Sequence, residues 1–165
     1  MRVTWRPATE DDVDFLTDVA VLTLRDQGRW PEDEDEVEYR AGYADWTREQ
    51  LRGDVPDSTL SVLELDGVRV GRLRVVRPGH LVEIAGLQLL PAYQGQGLGS
   101  EVVRAVAAEA QASGLPLELG VEHDNPRARA LYERLGFRPV GDDGTSCACV
   151  VRGESGPGQR RTTST

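Results

Sequence analysis

The chain contains no lysine: its 19 basic residues are all arginine, against 28 acidic residues, for a net charge of −9. That absence removes a Walker A loop, which ends in Gly-Lys-Ser/Thr and needs the lysine on the phosphates. The charge balance argues against nonspecific nucleic-acid binding, because phosphate contacts call for clustered basic residues. Long apolar runs are missing too; none approaches the roughly 18 to 20 residues of a membrane span. Met1 to Asp12 lack the apolar central region of a signal peptide, so the cytoplasm is the expected location. Cysteine is scarce. Cys147 and Cys149 lie two apart in an apparent strand, on one face, with too few ligands around them for zinc, and they read as reduced core or sheet residues. No metal site is expected. What is left is the composition of a soluble globular chain, at 165 residues a length suited to one domain with a proper core.

The stretch around which the rest is organised runs from Leu81 to Ala112, LVEIAGLQLLPAYQGQGLGSEVVRAVAAEAQA. Its first ten residues are mostly apolar and read as a buried strand ending at Pro91. A glycine-rich turn follows, Gln94-Gly95-Gln96-Gly97-Leu98-Gly99. Val102, Val103, Val106 and Ala107 then recur at helical spacing with Glu101, Arg104 and Glu109 between them. Strand, glycine turn, helix offers backbone N–H groups and a positive helix end to an anion, usually a phosphate. A dinucleotide fingerprint needs Gly-x-Gly-x-x-Gly, but counting from Gly95 the sixth position is Ser100. The pattern that remains is Gln94-x-x-Gly97-x-Gly99.

Elsewhere, Val3 and Trp5 alternate with Arg2, Thr4 and Arg6, giving a half-buried strand over Met1 to Ala8. Thr9 or Asp11 caps a helix with Val13, Phe15, Leu16, Val19 and Ala20 on one face, ending near Gln27-Gly28. The acidic run Pro31 to Glu38 leads into a helix with Tyr39, Tyr43 and Trp46 on one side. It reads either as a solvated helix start, where carboxylates suit the dipole, or as a field that draws a cationic substrate. Thr59–Leu65 and Val68–Val76 are strands around the hairpin signal Asp66-Gly67, and Pro78-Gly79 breaks the second. Pro116 to Val121 reads as an inner strand. Asp124 or Asn125 caps a helix starting at Pro126, whose inner face carries Ala128, Leu131, Tyr132 and Leu135 and which Gly136 ends. Phe137–Val140 and Thr145–Val151 form a last hairpin around Asp142-Asp143-Gly144. One domain over 1–152 is expected, followed by a disordered tail over 153–165 with no apolar anchor.

The segment PAYQGQGLGS resembles the acetyl-CoA loop of the GNAT superfamily of N-acetyltransferases, whose pattern is Gln/Arg-x-x-Gly-x-Gly/Ala. Asn125-Pro126-Arg127-Ala128 through Leu131-Tyr132-Glu133-Arg134-Leu135-Gly136-Phe137 resembles that family's second signature. The order β-αα-βββ-α-β-α-ββ is also the GNAT order, so the resemblance covers nearly all of residues 1 to 152. It implies an α/β fold with a mixed, mostly antiparallel seven-stranded sheet flanked by about four helices. The central strand and the one at Leu117 would run parallel and splay apart to admit the cosubstrate.

The resemblance also implies the chemistry: acetyl-CoA as acyl donor, and a small cationic amine or a lysine or peptide amine as acceptor. No nucleic-acid or membrane partner is expected, and a homodimer is possible. Amides of Gly95, Gln96, Gly97, Leu98, Gly99 and Ser100, beside Gln94, would hold the pyrophosphate. Main-chain groups of Leu87, Gln88 and Leu89 would pair with the pantetheine arm, the Leu89 N–H polarising the thioester carbonyl. Tyr132 matches the family tyrosine that protonates the departing thiolate, although a core tyrosine would look the same. Asn125 matches a cofactor-contacting asparagine and reads equally as a helix N-cap. Glu83, acidic inside an apolar strand, matches the catalytic glutamate of the histone acetyltransferase branch; otherwise it is a strand-edge glutamate. Glu122, His123 and His80 are the other candidate bases. Gly120 stands where the N-terminal-alanine acetyltransferases carry a glutamate, a departure from that branch. Two further readings are a non-catalytic acyl-CoA-binding module and an acetyltransferase acting on aminoacyl-tRNA, the latter disfavoured by the charge.

Overall fold

The computed structural model describes residues 2–122, 125–142 and 146–151. His123, Asp124, the Asp143-Gly144-Thr145 part of the last hairpin and the 153–165 tail lie outside the described residues, as do the side chains of Glu122 and Cys147. The elements follow the expected order: β1 (Val3–Pro7), α1 (Val13–Asp26), α2 (Glu36–Arg52), β2 (Ser58–Leu65), β3 (Val68–Val76), β4 (Val82–Leu89), α3 (Leu98–Ala112), β5 (Leu117–Glu122), α4 (Pro126–Arg134), β6 (Arg138–Asp142) and β7 (Ser146–Val151). The shift at β6 has a physical reason. Phe137, expected to open the strand, is buried in the core, while Asp142 pairs with Cys147 inside the ladder.

Local chemistry explains most boundaries. Asp66 and Gly67 both take positive φ, 51° and 79°, the geometry of a two-residue hairpin turn whose twist matches the strands. Asp35 caps α2 by accepting from the N–H groups of Val37 and Glu38 at 2.8 and 3.1 Å. Glu36 pairs with Arg25 and Arg40. Asp35 and Glu36 of the acidic run thus serve the start of α2. The third helix begins directly after Gly97, and its inner face of Val102, Val103, Val106 and Ala110 is buried.

The seven strands form one sheet in the order β1-β2-β3-β4-β5-β7-β6, with every neighbouring pair antiparallel except β4 and β5. One face packs on α3, where Leu73, Val75, Val82, Ile84, Leu117 and Leu119 meet the helix. Each fully buried Leu or Val of this kind contributes about 1.5–3 kcal/mol. The other face carries α1 and α2 over a smaller cluster of Leu16, Leu60 and Val62.

Two features set the geometry of the centre. Parallel pairing of β4 with β5 extends only over Val82–Ile84 and Leu117–Leu119. On the other edge of β4 the register to β3 slips, so that Val75 faces Ile84 but Arg74 faces Gly86. Ala85 is therefore an extra residue, a bulge that bends the strand just where its partner β5 is lost. The same bulge keeps Leu87 and Leu89 on the α3 side with Val82 and Ile84. Farther along, a Cβ on Gly71 would run into the carbonyl oxygen of Gln88, so only glycine lets β3 approach β4 this closely.

At the far edge, Asp12 is 2% exposed and takes both terminal nitrogens of Arg6, at 2.8 and 2.9 Å. It also accepts from the Thr9 N–H at 2.9 Å and from Arg69 at 3.2 Å. One carboxylate thus ties β1, the start of α1 and β3 together. The Arg6 guanidinium, helped by the Thr9 amide and Arg69 against the opposing effect of burial, holds that carboxyl far below its ordinary range.

Gly71→Ala should lower stability by about 2 kcal/mol through overpacking, a fall of roughly 6 °C in Tm for a chain this size. Calorimetric melting checks it, and an unchanged Tm would mean the β3–β4 approach is looser than described. Because the folded-state pKa of Asp12 is depressed, its stabilising effect is full above the unfolded value of about 4 and is lost as pH falls below it. Urea titrations from pH 6 to pH 2.5 should therefore show a steeper acid loss in the native chain than in Asp12→Asn, which starts from a lower plateau.

Candidate active site

A cleft of about 650 Å³ lies where β4 and β5 part, walled by the end of β4, the glycine loop, the start of α3, one side of α4 and the C-terminal end of α1. The expected residues Leu87, Gln88, Leu89, Gln94, Gly95, Gly97, Leu98, Gly99, Ser100, Asn125 and Tyr132 all line it. Gln96 and Glu83 lie outside its walls.

The glycine loop is shaped by backbone that other residues rarely adopt. Gly95 and Gly97 take φ of 73° and 79°, and Gly97 is the N-cap residue of α3. No side chain caps that helix end, so its first amides are left for another acceptor. A 15-residue helix also adds its positive end there. Gln94 donates from its side chain to the Leu89 carbonyl at 3.0 Å, strapping the loop to the end of β4. Arg2 donates to the Gln96 carbonyl at 2.7 Å and pairs with Glu101 at 2.9 Å, bracing the loop from below. The Gln96 main chain is thus held by the residue leading into β1 rather than facing the cleft.

The strand wall follows from alternation. The Leu90 N–H donates to Val70 at 2.8 Å, toward β3. Main-chain groups of neighbouring residues point to opposite edges, so those of Leu89 and Leu87 point toward the parted β5 edge. The Leu89 carbonyl, held by Gln94 from that side, agrees.

Across the cleft, Asn125 accepts from the Ala128 N–H at 3.2 Å and so caps α4 while lining the cleft. Tyr132 is packed edge-on against Phe137, with ring centres 5.8 Å apart. Burial, with Cys149 nearby, pushes its phenol pKa up, so the hydroxyl keeps its proton. Glu83 sits half-buried on β4 opposite Val76 and Glu118. His80 is exposed in the β3–β4 loop.

Some walls escaped the sequence reading. Thr23, Asp26, Gln27 and Arg29 of the α1 end line the cleft, as do Arg127 and Arg134 on α4. The two α4 arginines sit inside the second signature, so the signal for a basic rim was present there.

Comparison with known proteins says which family builds such a cleft. The model of the acetyltransferase (GNAT) family matches residues 18–137. The chain belongs to the GNAT acetyltransferase family. Members of this family use acetyl-CoA as acyl donor. The GNAT fold seen here resembles that of the PaiA N-acetyltransferase from Thermoplasma acidophilum, solved in complex with coenzyme A: TM-score 0.75, 20% identity, 92% of this chain and 99% of that one. An acetyltransferase from Thermus thermophilus gives a TM-score of 0.70 at 25% identity over 92% of this chain and 97% of that one. A mycothiol acetyltransferase from Beutenbergia cavernae is 46% identical over 59 residues, 35% of this chain. The match spans 20% of that relative's length. Among the described residues no helix is long and apolar enough to cross a membrane.

Proposed function

We propose that this GNAT chain transfers the acetyl group of acetyl-CoA to a primary amine by direct attack in a ternary complex. What carries the reading is the convergence, in one cleft, of uncapped helix amides, strand-edge amides and a half-buried phenol that keeps its proton. The loop amides and the α3 end hold the pyrophosphate, and Arg127 and Arg134 add positive charge at the rim. The pantetheine arm adds to the open edge of β4 as an extra strand would. The Leu89 N–H, aimed at that edge, steadies the oxygen of the thioester carbonyl as negative charge develops on it.

The amine nitrogen attacks the thioester carbon, the C–N bond forms and the C–S bond breaks. Tyr132 gives its proton to the departing thiolate, a role suited to a phenol that burial keeps protonated. The amine loses its proton to Glu83 through water, since Glu83 lies outside the cleft wall on the same strand. A small cationic amine or a lysine or peptide amine is the acceptor class.

Thiol release from acetyl-CoA over a panel of amines tests this. Tyr132→Phe should lower kcat at least tenfold with little change in the acetyl-CoA KM, the mark of an interaction made in the transition state. Glu83→Gln should cost most at low pH, where the amine is protonated, and recover at high pH, where the amine sheds its own proton. Tight acetyl-CoA binding without turnover on any amine, indifferent to Tyr132→Phe, would point instead to a binding module.

A further inference from the structure

Arg6 and Arg69 reach the buried Asp12 and share its carboxylate. Arg72 and Arg74, two apart on the β3 face that looks toward α2, have no carboxylate within ion-pair range among the described residues. Their surroundings are aromatic and neutral. The Arg72 Cζ lies 5.8 Å from the Tyr43 ring centre and 5.7 Å from that of Trp46, and the Arg74 Cζ lies 5.6 Å from Trp46. Arg74 donates to Ser58 at 3.0 Å and Gln50 at 3.3 Å. Arg72 uses its Nε on the Gln88 side-chain oxygen at 2.5 Å, and its Nη2 lies 2.9 Å from where a Cβ on Gly86 would be.

That leaves the Arg72 Nη1 buried with no hydrogen-bond partner, and the Tyr43 hydroxyl and Gln50 Nε2 in the same condition. Ring stacking explains why the guanidinium is tolerated there. It does not satisfy Nη1, and leaving a buried polar group unpaired is costly, more so when it is charged. All three orphans can donate, so what the cluster lacks is an acceptor. Its location says whose. Leu87 and Leu89 face α3, so Gln88 points to the α1–α2 side, where it lines the cleft beside Leu89 while holding Arg72.

We propose that Arg72 receives a carboxylate of the acceptor, so that the amine to be acetylated belongs to an amino acid or short peptide rather than to a polyamine. The inference rests on the N-acetyltransferase reading and deepens it. A planar carboxylate offers two oxygens to Nη1 and the Tyr43 hydroxyl. A second cation brought beside this one would instead be repelled. Arg72 stands one glutamine side chain from the cleft, which suits an amine and a carboxylate on one small molecule. Within the acidic run before α2, Asp35 and Glu36 are engaged in a cap and in ion pairs.

The test is acetyl-CoA turnover on amino acids and dipeptides against their carboxamides, the matching decarboxylated amines, aminoalkyl phosphates and polyamines. Carboxylate acceptors should be favoured at least tenfold in kcat/KM, a comparison that needs no variant. Arg72→Gln should erase the preference by raising the acceptor KM while leaving the acetyl-CoA KM unchanged, and Arg72→Lys should restore part of it. Equal or better turnover of amides or polyamines, a preference for phosphates, or an equal loss on all acceptors in Arg72→Gln would overturn the proposal. If nothing turns over, thermal shifts with the same amino acids and amides in the presence of CoA still decide. Stabilisation by carboxylates that vanishes in Arg72→Gln keeps the anion site and sinks the transferase reading; no stabilisation sinks the site.

Discussion

Parallel pairing over Val82–Ile84 and Leu117–Leu119 joins the two halves of the sheet, and the site exists because that pairing stops. A longer ladder would engage the main-chain groups of Leu87 and Leu89 with β5, and there would be no cleft. The bulge at Ala85 bends β4 at the point of separation, so the opening follows from the strand's own register. Everything else in the cleft is placed relative to that fork: the glycine loop is strapped to the strand end by Gln94, and α4 swings Tyr132 across from the other branch.

Charge is distributed against the average. The chain carries −9 overall, yet Arg29, Arg127 and Arg134 stand around the cleft, and Arg72 and Arg74 lie under α2. A net charge describes the long-range field; a site is defined by the groups within a Debye length of about 8–10 Å. Asp26 is the one carboxylate among the described residues that lines the cleft, while Asp12 clamps β1 to β3 and Asp35 caps a helix.

The order of elements, the Asp66-Gly67 turn, the Asn125 cap and the glycine loop were legible because each is written locally, in periodicity or in residues that favour a particular backbone. The splayed strands were legible only by likeness to a family, since nothing in LVEIAGLQLL marks where its partner leaves. Long-range neighbours were not legible at all. Arg2 bracing the loop from 94 residues away, the α1 end lining the cleft, and the stacking of Arg72 under Tyr43 and Trp46 depend on sheet register and helix placement. The aromatic stripe of α2 was visible as a stripe, but its complement on β3 reads in sequence as ordinary strand polarity, Val-Gly-Arg-Leu-Arg-Val.

The cations around the cleft being guanidinium groups has a chemical consequence of its own. A lysine at the acyl end of the cleft would hold a nucleophilic nitrogen near a reactive thioester, a rival to the intended acceptor in every cycle. Arginine supplies the same charge and more hydrogen-bond donors, yet it stays protonated and does not attack acyl carbon. With no lysine anywhere in the sequence, no side-chain amine of this enzyme can be mistaken for its substrate.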